Sequence, residues 1–378
     1  MQSGPGDAIE NLPTGPKYVV GRPNVLDREL FLRRVGQIID SAVHTNDGPF
    51  VKHLETLVQE TLAVPHCVAV ANATLALELV LQSLSRTGEV IVPSFTFVAT
   101  VHAIVRSNLR PVFCEVDSRG LIDCDHAQDL INESTACILP VNVYGYVCNI
   151  ERLEYLSDKY DIPVVYDSAH ALGVRSHATP LGRFGSAEVF SLHATKFISG
   201  FEGGLITTKS AELAEQMRVA RNFGFVGYDA VERTGTNAKL SEIHAAMALT
   251  NLERIEDIVS HNRAVFETYS RLLLPPLKLI RPLATEEPNY QYVPVICPPA
   301  LREHVLKTLL DNNIFARRYF YPGAHRMKAY EHFDVHLPKT DALSESIICL
   351  PSGASVSAED AKTIAEVLNG AVATAMRS

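Results

Sequence analysis

The sequence contains no run of about 18 apolar residues, so nothing in it reads as a membrane span. It has no cluster of Lys and Arg, and the net charge of −9 works against a polyanionic partner; no nucleic-acid role is expected. Its first residues, Met1-Gln2-Ser3-Gly4-Pro5-Gly6-Asp7, lack the basic start and apolar stretch of a secretory signal. The seven cysteines (Cys67, Cys114, Cys124, Cys137, Cys148, Cys297, Cys349) are scattered, with no Cys-x-x-Cys. An odd, scattered set fits reduced thiols in a cytoplasm better than a disulfide framework or a zinc site. Low-complexity tracts and internal repeats are absent too. With 47% hydrophobic and 20% charged residues, the 378-residue chain reads as globular and soluble, long enough for two packed domains.

What is present is an alternation of apolar runs and helical spacing. Residues up to about 21 show no period and read as an arm. Residues 27–43 and 50–62 carry apolar side chains at helical spacing, among them Leu30, Val35, Ile38 and then Leu54, Leu57, Val58. Strands are then expected over 67–71, 89–92, 111–116, 136–141 and 163–167. Helices over 75–84, 97–105, 125–131 and 150–160 fall between them. Such repetition implies an α/β fold with a mainly parallel central sheet and helices on both faces. After Asp167 the rhythm changes: strands over 187–192 and 203–208, a helix over 211–221, a glycine-containing loop over 222–228. One long helix from 242 to about 272 follows, ended by Pro275-Pro276. Beyond it, strands over 290–296, 316–320 and 346–350 and helices over 300–312 and 358–376 read as a smaller α+β domain. The expected division is 1–255, arm plus large domain, and 256–378, small domain.

Ligands of such sheets sit beyond the carboxyl ends of the strands. Ser191-Leu192-His193-Ala194-Thr195-Lys196 lies between two strands there. A lysine is costly to bury unless paired or neutralised chemically. One such chemistry is a Schiff base with a carbonyl cofactor such as pyridoxal 5'-phosphate; a surface lysine on a turn is the other reading. Asn72-Ala73-Thr74 opens a helix, so Thr74 either lies beside unpaired amides that suit an anion or simply caps the helix. Asp167, at a strand end, is either a site carboxylate or a cap or turn aspartate. Arg317-Arg318-Tyr319-Phe320-Tyr321 is either an edge strand with arginines in solvent or a contact surface for a diphosphate and a sugar or base.

In combination, six motifs resemble the DegT/DnrJ/EryC1/StrS family of pyridoxal phosphate-dependent sugar aminotransferases, from about Gly48 to the C-terminus. They are Gly48-Pro49-Phe50-Val51, Ala71-Asn72-Ala73-Thr74, Pro93-Ser94-Phe95-Thr96-Phe97-Val98-Ala99-Thr100, Asp167-Ser168-Ala169-His170, the Lys196 stretch, and Thr236-Asn237-Ala238-Lys239-Leu240-Ser241-Glu242. The resemblance implies the aminotransferase fold of type I and a homodimer with shared active sites. By the same resemblance Lys196 would bind the cofactor and later move protons. Asp167 would pair with the ring nitrogen, His170 would lie near the phenolic oxygen, and Phe97 would stack on the ring. Thr74, the amide of Leu75 and Ser191 would hold the phosphate, with Asn237 reaching it from the neighbouring subunit. Tyr166 stands where relatives often have Glu, and the stretch from Leu84 to Glu89 is shorter than usual. Some relatives carry His at the lysine position and are dehydratases; Lys196 favours transamination.

The narrower similarity is to enzymes that aminate C4 of a nucleotide-linked 4-keto-6-deoxyhexose in deoxyaminosugar biosynthesis. It rests on Phe201-Glu202-Gly203-Gly204, Asn222-Phe223-Gly224-Phe225, Gly235-Thr236-Asn237-Ala238-Lys239, and the run from Ala316 to Pro322. The expected substrates are a dTDP-linked keto-sugar and glutamate or glutamine, with Arg317, Arg318 and Tyr321 as sugar-nucleotide contacts. A 3-keto-sugar or a cyclitol ketone as acceptor remains open, as does a regulator that binds without turnover. The intact Lys196, Asp167 and His170 set argues against the regulator.

Overall fold

The computed structural model describes residues 15–24 and 27–377. The centre is one sheet. Four strands lie in the order His66–Val70, Gly204–Thr208, Ala187–Ser191, Val165–Asp167, and three more in the order Thr135–Ile138, Glu89–Pro93, Arg110–Cys114. Parallel bridges Ile138–Val164 and Val141–Asp167 join the two groups into seven strands. Only Gly204–Thr208 runs against its neighbours; the other pairings are parallel. This is the α/β class expected from the sequence.

The period-2 alternation shows why both faces are covered. Val68, Val70, Val189 and Ile206 enter one core, under the helices Ala73–Ser83, Val98–Arg106 and Ala211–Arg221. Cys67, Ala69, Phe190 and Leu205 enter the opposite core, with Leu54, Val58 and Leu62 of helix Pro49–Leu62 and Ala245, Ala248 and Leu249 of helix Glu242–Leu252. Successive residues point to opposite faces, so apolar residues at every position mean a sheet buried on both sides.

A third core forms around a smaller antiparallel sheet, Lys278–Leu279, Val293–Ile296 and Ile347–Leu350. Val293, Val295, Ile348 and Leu350 pack there against Val265 and Tyr269 of helix Ile255–Leu272, Val305 and Leu309 of helix Pro299–Asp311, and Ile364 and Leu368 of helix Ala358–Ala375. Ile347 and Cys349, on the other face of the same strand, belong to the first core, so this sheet is packed onto the larger one.

Three sequence expectations are corrected. The single helix over 242–272 is two helices, Glu242–Leu252 and Ile255–Leu272, broken at Glu253–Arg254. Residues 316–320 are not a strand. The strand is Ile314–Phe315, Arg317 makes an isolated bridge to Cys349, and the chain then turns, the Tyr321 amide donating to the Arg318 carbonyl. The arm over 1–21 is structured at its end, where Tyr18–Val19 pairs in parallel with Ile314–Phe315; residues 1–14 lie outside the described part.

Glu242 is fully buried, and its carboxylate accepts the amides of Gly48 (3.1 Å), Phe50 (2.9 Å) and Val51 (3.0 Å) at the start of helix Pro49–Leu62. The Pro49 helix has no cap from its own residues, so Glu242 supplies one across the fold. A Cβ on Gly48 would lie 2.6 Å from the Glu242 carboxyl carbon, which explains the glycine. Glu242→Ala strands these amides, and we expect it to lower stability by about 2–4 kcal/mol. Equilibrium urea unfolding reads this directly; an unchanged midpoint would show that water replaces the carboxylate without cost.

Candidate active site

Lys196 sits in the hairpin between strands Ala187–Ser191 and Gly204–Thr208. The hairpin is closed by Leu192 N–H to Gly203 O (2.9 Å), Gly200 N–H to Leu192 O (2.8 Å) and Ala194 N–H to Phe201 O (2.7 Å). Side chains from distant segments hold it from outside. Gln291 donates to the Thr195 carbonyl (3.2 Å), Asn24 to that of Phe197 (3.1 Å) and Asn251 to that of Ser199 (2.7 Å). The lysine is half-buried in a turn whose backbone cannot drift. Desolvation pulls its amine down to about 8, against the opposing pull of the Asp167 charge. This is a lysine that gives up its proton near neutral pH, unlike a solvated one.

Asp167 ends its strand and is buried. Its Oδ2 accepts the Thr100 hydroxyl (2.7 Å) and its Oδ1 the Ala169 amide (3.1 Å). Burial raises its pKa; those two hydrogen bonds and the Lys196 charge work in the other direction. Three residues on, His170 is also buried, and its Nδ1 accepts the Tyr144 amide (3.1 Å). An amide can only donate, so in the neutral ring Nε2 carries the hydrogen. Desolvation, then the Lys196 charge, holds His170 well below its ordinary pKa, so the ring stays neutral.

Ser191 and the first turn of helix Ala73–Ser83 meet across Gly204. Gly204 pairs with Ser191 on one side and Val70 on the other, and a Cβ on it would lie 2.6 Å from the Asn72 carbonyl carbon. Only glycine lets this strand approach the helix start so closely. The helix cap is Asn72, not Thr74: Asn72 Oδ1 accepts the Leu75 amide at 2.9 Å. The Leu75 amide is therefore engaged. The Ala73 and Thr74 amides and the Thr74 hydroxyl have no partner among the described residues. Asn237 is exposed. Its backbone bridges to Asn222, and the next residue's carbonyl accepts the Ala71 amide just before that helix start.

Phe97, at the start of helix Val98–Arg106, is 56% exposed and offers an open ring face. The run after Arg317 divides. Arg318 is exposed and pairs with Glu303 at 3.1 Å. Arg317 is exposed with its guanidinium over the Tyr319 ring (5.0 Å), and Tyr321 packs under Arg302 (4.4 Å) and Arg318 (4.8 Å). The turn there points Phe320 inward, stacked on His170 at 5.9 Å and 16°. Tyr292 lies against the other part of His170 at 4.4 Å, and the Tyr144 hydroxyl donates to the Tyr319 carbonyl. Phe320, Tyr292, Tyr144 and Thr100 were not among the candidate residues. Thr100 and Phe320 stood inside quoted motifs, but only the fold brings them to Asp167 and His170.

These groups are one amine, one carboxylate, one neutral imidazole and hydroxyls at a helix start. They are the groups that an aldehyde bearing a basic ring nitrogen and a phosphate requires. Among the described residues no helix is long and apolar enough to cross a membrane, and no cluster of three His, Cys, Asp or Glu could hold a metal ion.

Comparison with known proteins agrees with this arrangement. A family model described as the DegT/DnrJ/EryC1/StrS aminotransferase family matches residues 26–369. A protein of Shigella dysenteriae named dTDP-4-amino-4,6-dideoxy-D-glucose transaminase is 33% identical over 350 residues, covering 90% of this chain and 95% of that one. The GDP-perosamine synthase of Vibrio cholerae is 31% identical over 340 residues, covering 86% and 92%. Among solved structures, that of DesI in the presence of its TDP-sugar product superposes with a TM-score of 0.90 at 35% identity, covering 97% of this chain and 96% of that one.

Proposed function

The chain belongs to the DegT/DnrJ/EryC1/StrS aminotransferase family, and from that premise we propose that it carries an amino group from glutamate or glutamine to C4 of a dTDP-linked 4-keto-6-deoxyhexose, using pyridoxal 5'-phosphate. The observation that carries the reading is the half-buried Lys196, its amine pulled down to about 8 beside Asp167 and His170. The transaminase name of the Shigella relative and the TDP-sugar product in the DesI title support the acceptor.

Bound here, the cofactor would supply an aldehyde that accepts and returns an amino group, on a ring that draws electrons from the reacting carbon. Lys196 would hold it and move protons at Nζ, which its lowered pKa makes possible near neutral pH. The Asp167 carboxylate, steered by Thr100 and the Ala169 amide, would keep the ring nitrogen protonated. His170 would donate from Nε2 to the phenolic oxygen. Phe97 would cover one face. Ser191, the Thr74 hydroxyl and the free amides of the first helical turn would hold the phosphate; the Leu75 amide is spent on Asn72. Asn237 would join them from a second copy of the chain. Next to Asn237, Phe223, Phe225, Val226, Tyr228 and Val231 expose apolar surface that a second copy would cover.

The reading is tested by product analysis after incubation with glutamate or glutamine and a panel of 3-keto and 4-keto nucleotide sugars. A 4-amino product supports it, and turnover confined to 3-keto-sugars would overturn it. Sedimentation velocity decides between monomer and dimer.

The sugar nucleotide needs a cation in an acidic protein. Arg318 faces Glu303 at the surface, so of the two arginines we choose Arg317 as the contact for the diphosphate. We expect Arg317→Ala to slow the nucleotide-sugar half-reaction about tenfold or more, as loss of a charge-assisted contact does. The glutamate half-reaction should change little. Stopped-flow traces of the separate half-reactions check this; equal losses in both would reject the role.

A further inference from the structure

The mechanism leaves one buried carboxylate without a task. Glu188 lies on the strand that leads to Ser191 and is fully buried. It has no cation partner among the described residues. Other buried glutamates are accounted for: Glu286 pairs with Arg119 at 2.6 Å, and Glu115 caps helix Pro338–Ser346 through the Lys339 and Thr340 amides. Glu188 instead accepts the amides of Gly182 (2.6 Å) and Phe184 (2.9 Å) on Oε1, and the Ser168 hydroxyl (2.8 Å) on Oε2. A buried carboxylate without a counter-charge is expensive even when hydrogen-bonded, and burial, against these hydrogen bonds, pushes this one up to about 7.

The contact with Ser168 leads into the site. Ser168 follows Asp167, and its Oγ accepts from Asn142 Nδ2 at 2.8 Å. An amide nitrogen only donates, and an ionised Glu188 only accepts, so with Glu188 ionised the single hydroxyl hydrogen of Ser168 goes to it. In that state the chain runs in one direction, from Asn142 through Ser168 to Glu188. Backbone bonds tie its members to the two groups in question. Ser168 N–H donates to Val189 O (2.8 Å) and Asn142 N–H to Asp167 O (2.9 Å). Asn142 lies two residues before Tyr144, whose amide holds His170 Nδ1. One buried network thus spans the strand end that presents Asp167 and the loop that sets the His170 tautomer.

We infer that Glu188 is a positioning residue for Asp167 and His170, acting through the Ser168 hydroxyl and Asn142. The inference rests on the cofactor-site reading given above for what those two residues do. Glu188 touches no reacting atom; it fixes where the carboxylate and the imidazole stand.

Two variants separate this role from simple stitching of the turn at Gly182 and Phe184. Ser168→Ala cuts the link and leaves both amide contacts of Glu188 in place. Glu188→Gln keeps the shape, but its Nε2 faces an oxygen that already accepts from Asn142, and the Ser168 hydrogen loses its acceptor. In the full-length chain without cofactor, nitrogen-15 NMR of His170 should show a single Nε2–H tautomer in the parent and a mixture in both variants. In the loaded enzyme both should lose about tenfold in kcat with KM for both substrates nearly unchanged, the pattern of lost transition-state alignment. The double variant should lose no more than either single one, as members of one network do. An unchanged His170 spectrum and kcat in Ser168→Ala, with only a lower melting temperature in Glu188→Gln, would overturn the inference and leave Glu188 as a clamp on the turn. The NMR arm needs no cofactor. It therefore decides the matter even if Lys196→Ala still binds pyridoxal phosphate covalently, the result that would refute the site reading itself.

Discussion

Lys196→Ala should bind pyridoxal phosphate without the visible Schiff-base band and should lose transamination by at least about a thousandfold, within the range of a lost general acid–base group. The argument has two parts. The turn that carries Lys196 is held by Asn24, Asn251 and Gln291, so its backbone keeps its place when the side chain is removed, and the loss reports on the amine. And the amine must be neutral to attack an aldehyde, which its pull down to about 8 permits. Lys196→Arg isolates the second part. Arginine keeps the positive charge that faces Asp167 but stays protonated at any working pH. It should be as inactive as Ala. Trapping with borohydride followed by peptide mapping finds the anchor. Covalent label in Lys196→Ala at the parental level would assign the bond to another lysine, and an active Lys196→Arg would reduce the residue to an electrostatic partner.

The residues that carry chemistry were easier to read from sequence than the geometry that serves them. Asp167 and Lys196 were legible through the motifs that carry the family resemblance, since a cap aspartate and a turn lysine were equally open from the residues alone; in the structure Asp167 ends its strand and Lys196 lies in the hairpin beyond the strand that stops at Ser191. The helix break at Glu253–Arg254 was invisible because Ile255 and Ile258 continue the apolar spacing and no Gly or Pro marks the stop. Arg317 to Phe320 passed for a strand because its aromatics have strand propensity. Packing overrides it: the Phe320 ring is drawn down onto His170 and Phe95. Thr74 passed for a cap because Thr, like Asn, favours that place; the structure gives the cap to Asn72, two residues earlier, and leaves the Thr74 hydroxyl free. Tyr292 and Tyr144 reach His170 only through tertiary folding, and no local pattern announces a contact between residues so far apart in the chain.

Asp167→Asn should cut turnover by orders of magnitude while leaving the fold intact. The carboxylate's proposed task is to hold a proton on the ring nitrogen, and a preorganised charge of this kind is commonly worth about 3–4 kcal/mol at the transition state. Asparagine keeps the size and loses the charge. It also fits the hydrogen bonds. Oδ1 can still accept the Ala169 amide, and Nδ2 can donate to Thr100. Thr100 can then turn its hydrogen toward Thr96, 2.8 Å away, where either hydroxyl can be the donor. Reversing this chain moves the one hydroxyl hydrogen without an acceptor to Thr96, a smaller loss than the buried charge that the substitution removes. The stability effect has a definite sign. Burial raises the pKa of Asp167, so the folded, cofactor-free chain binds its proton more tightly than the unfolded one. Between the ordinary carboxylate value and the raised one the folded state holds more protons, and stability falls as pH rises through that window. Above it the whole penalty is present in the parent and absent in Asn. The cofactor-free variant should therefore melt no lower than the parent at neutral pH, and the gap should close on acidification. Low turnover with an undiminished melting temperature and normal cofactor content locates the loss in chemistry. Near-normal turnover with full cofactor content would remove Asp167 from the ring nitrogen; a lower melting temperature would instead make the carboxylate a structural bond to Thr100 and Ala169.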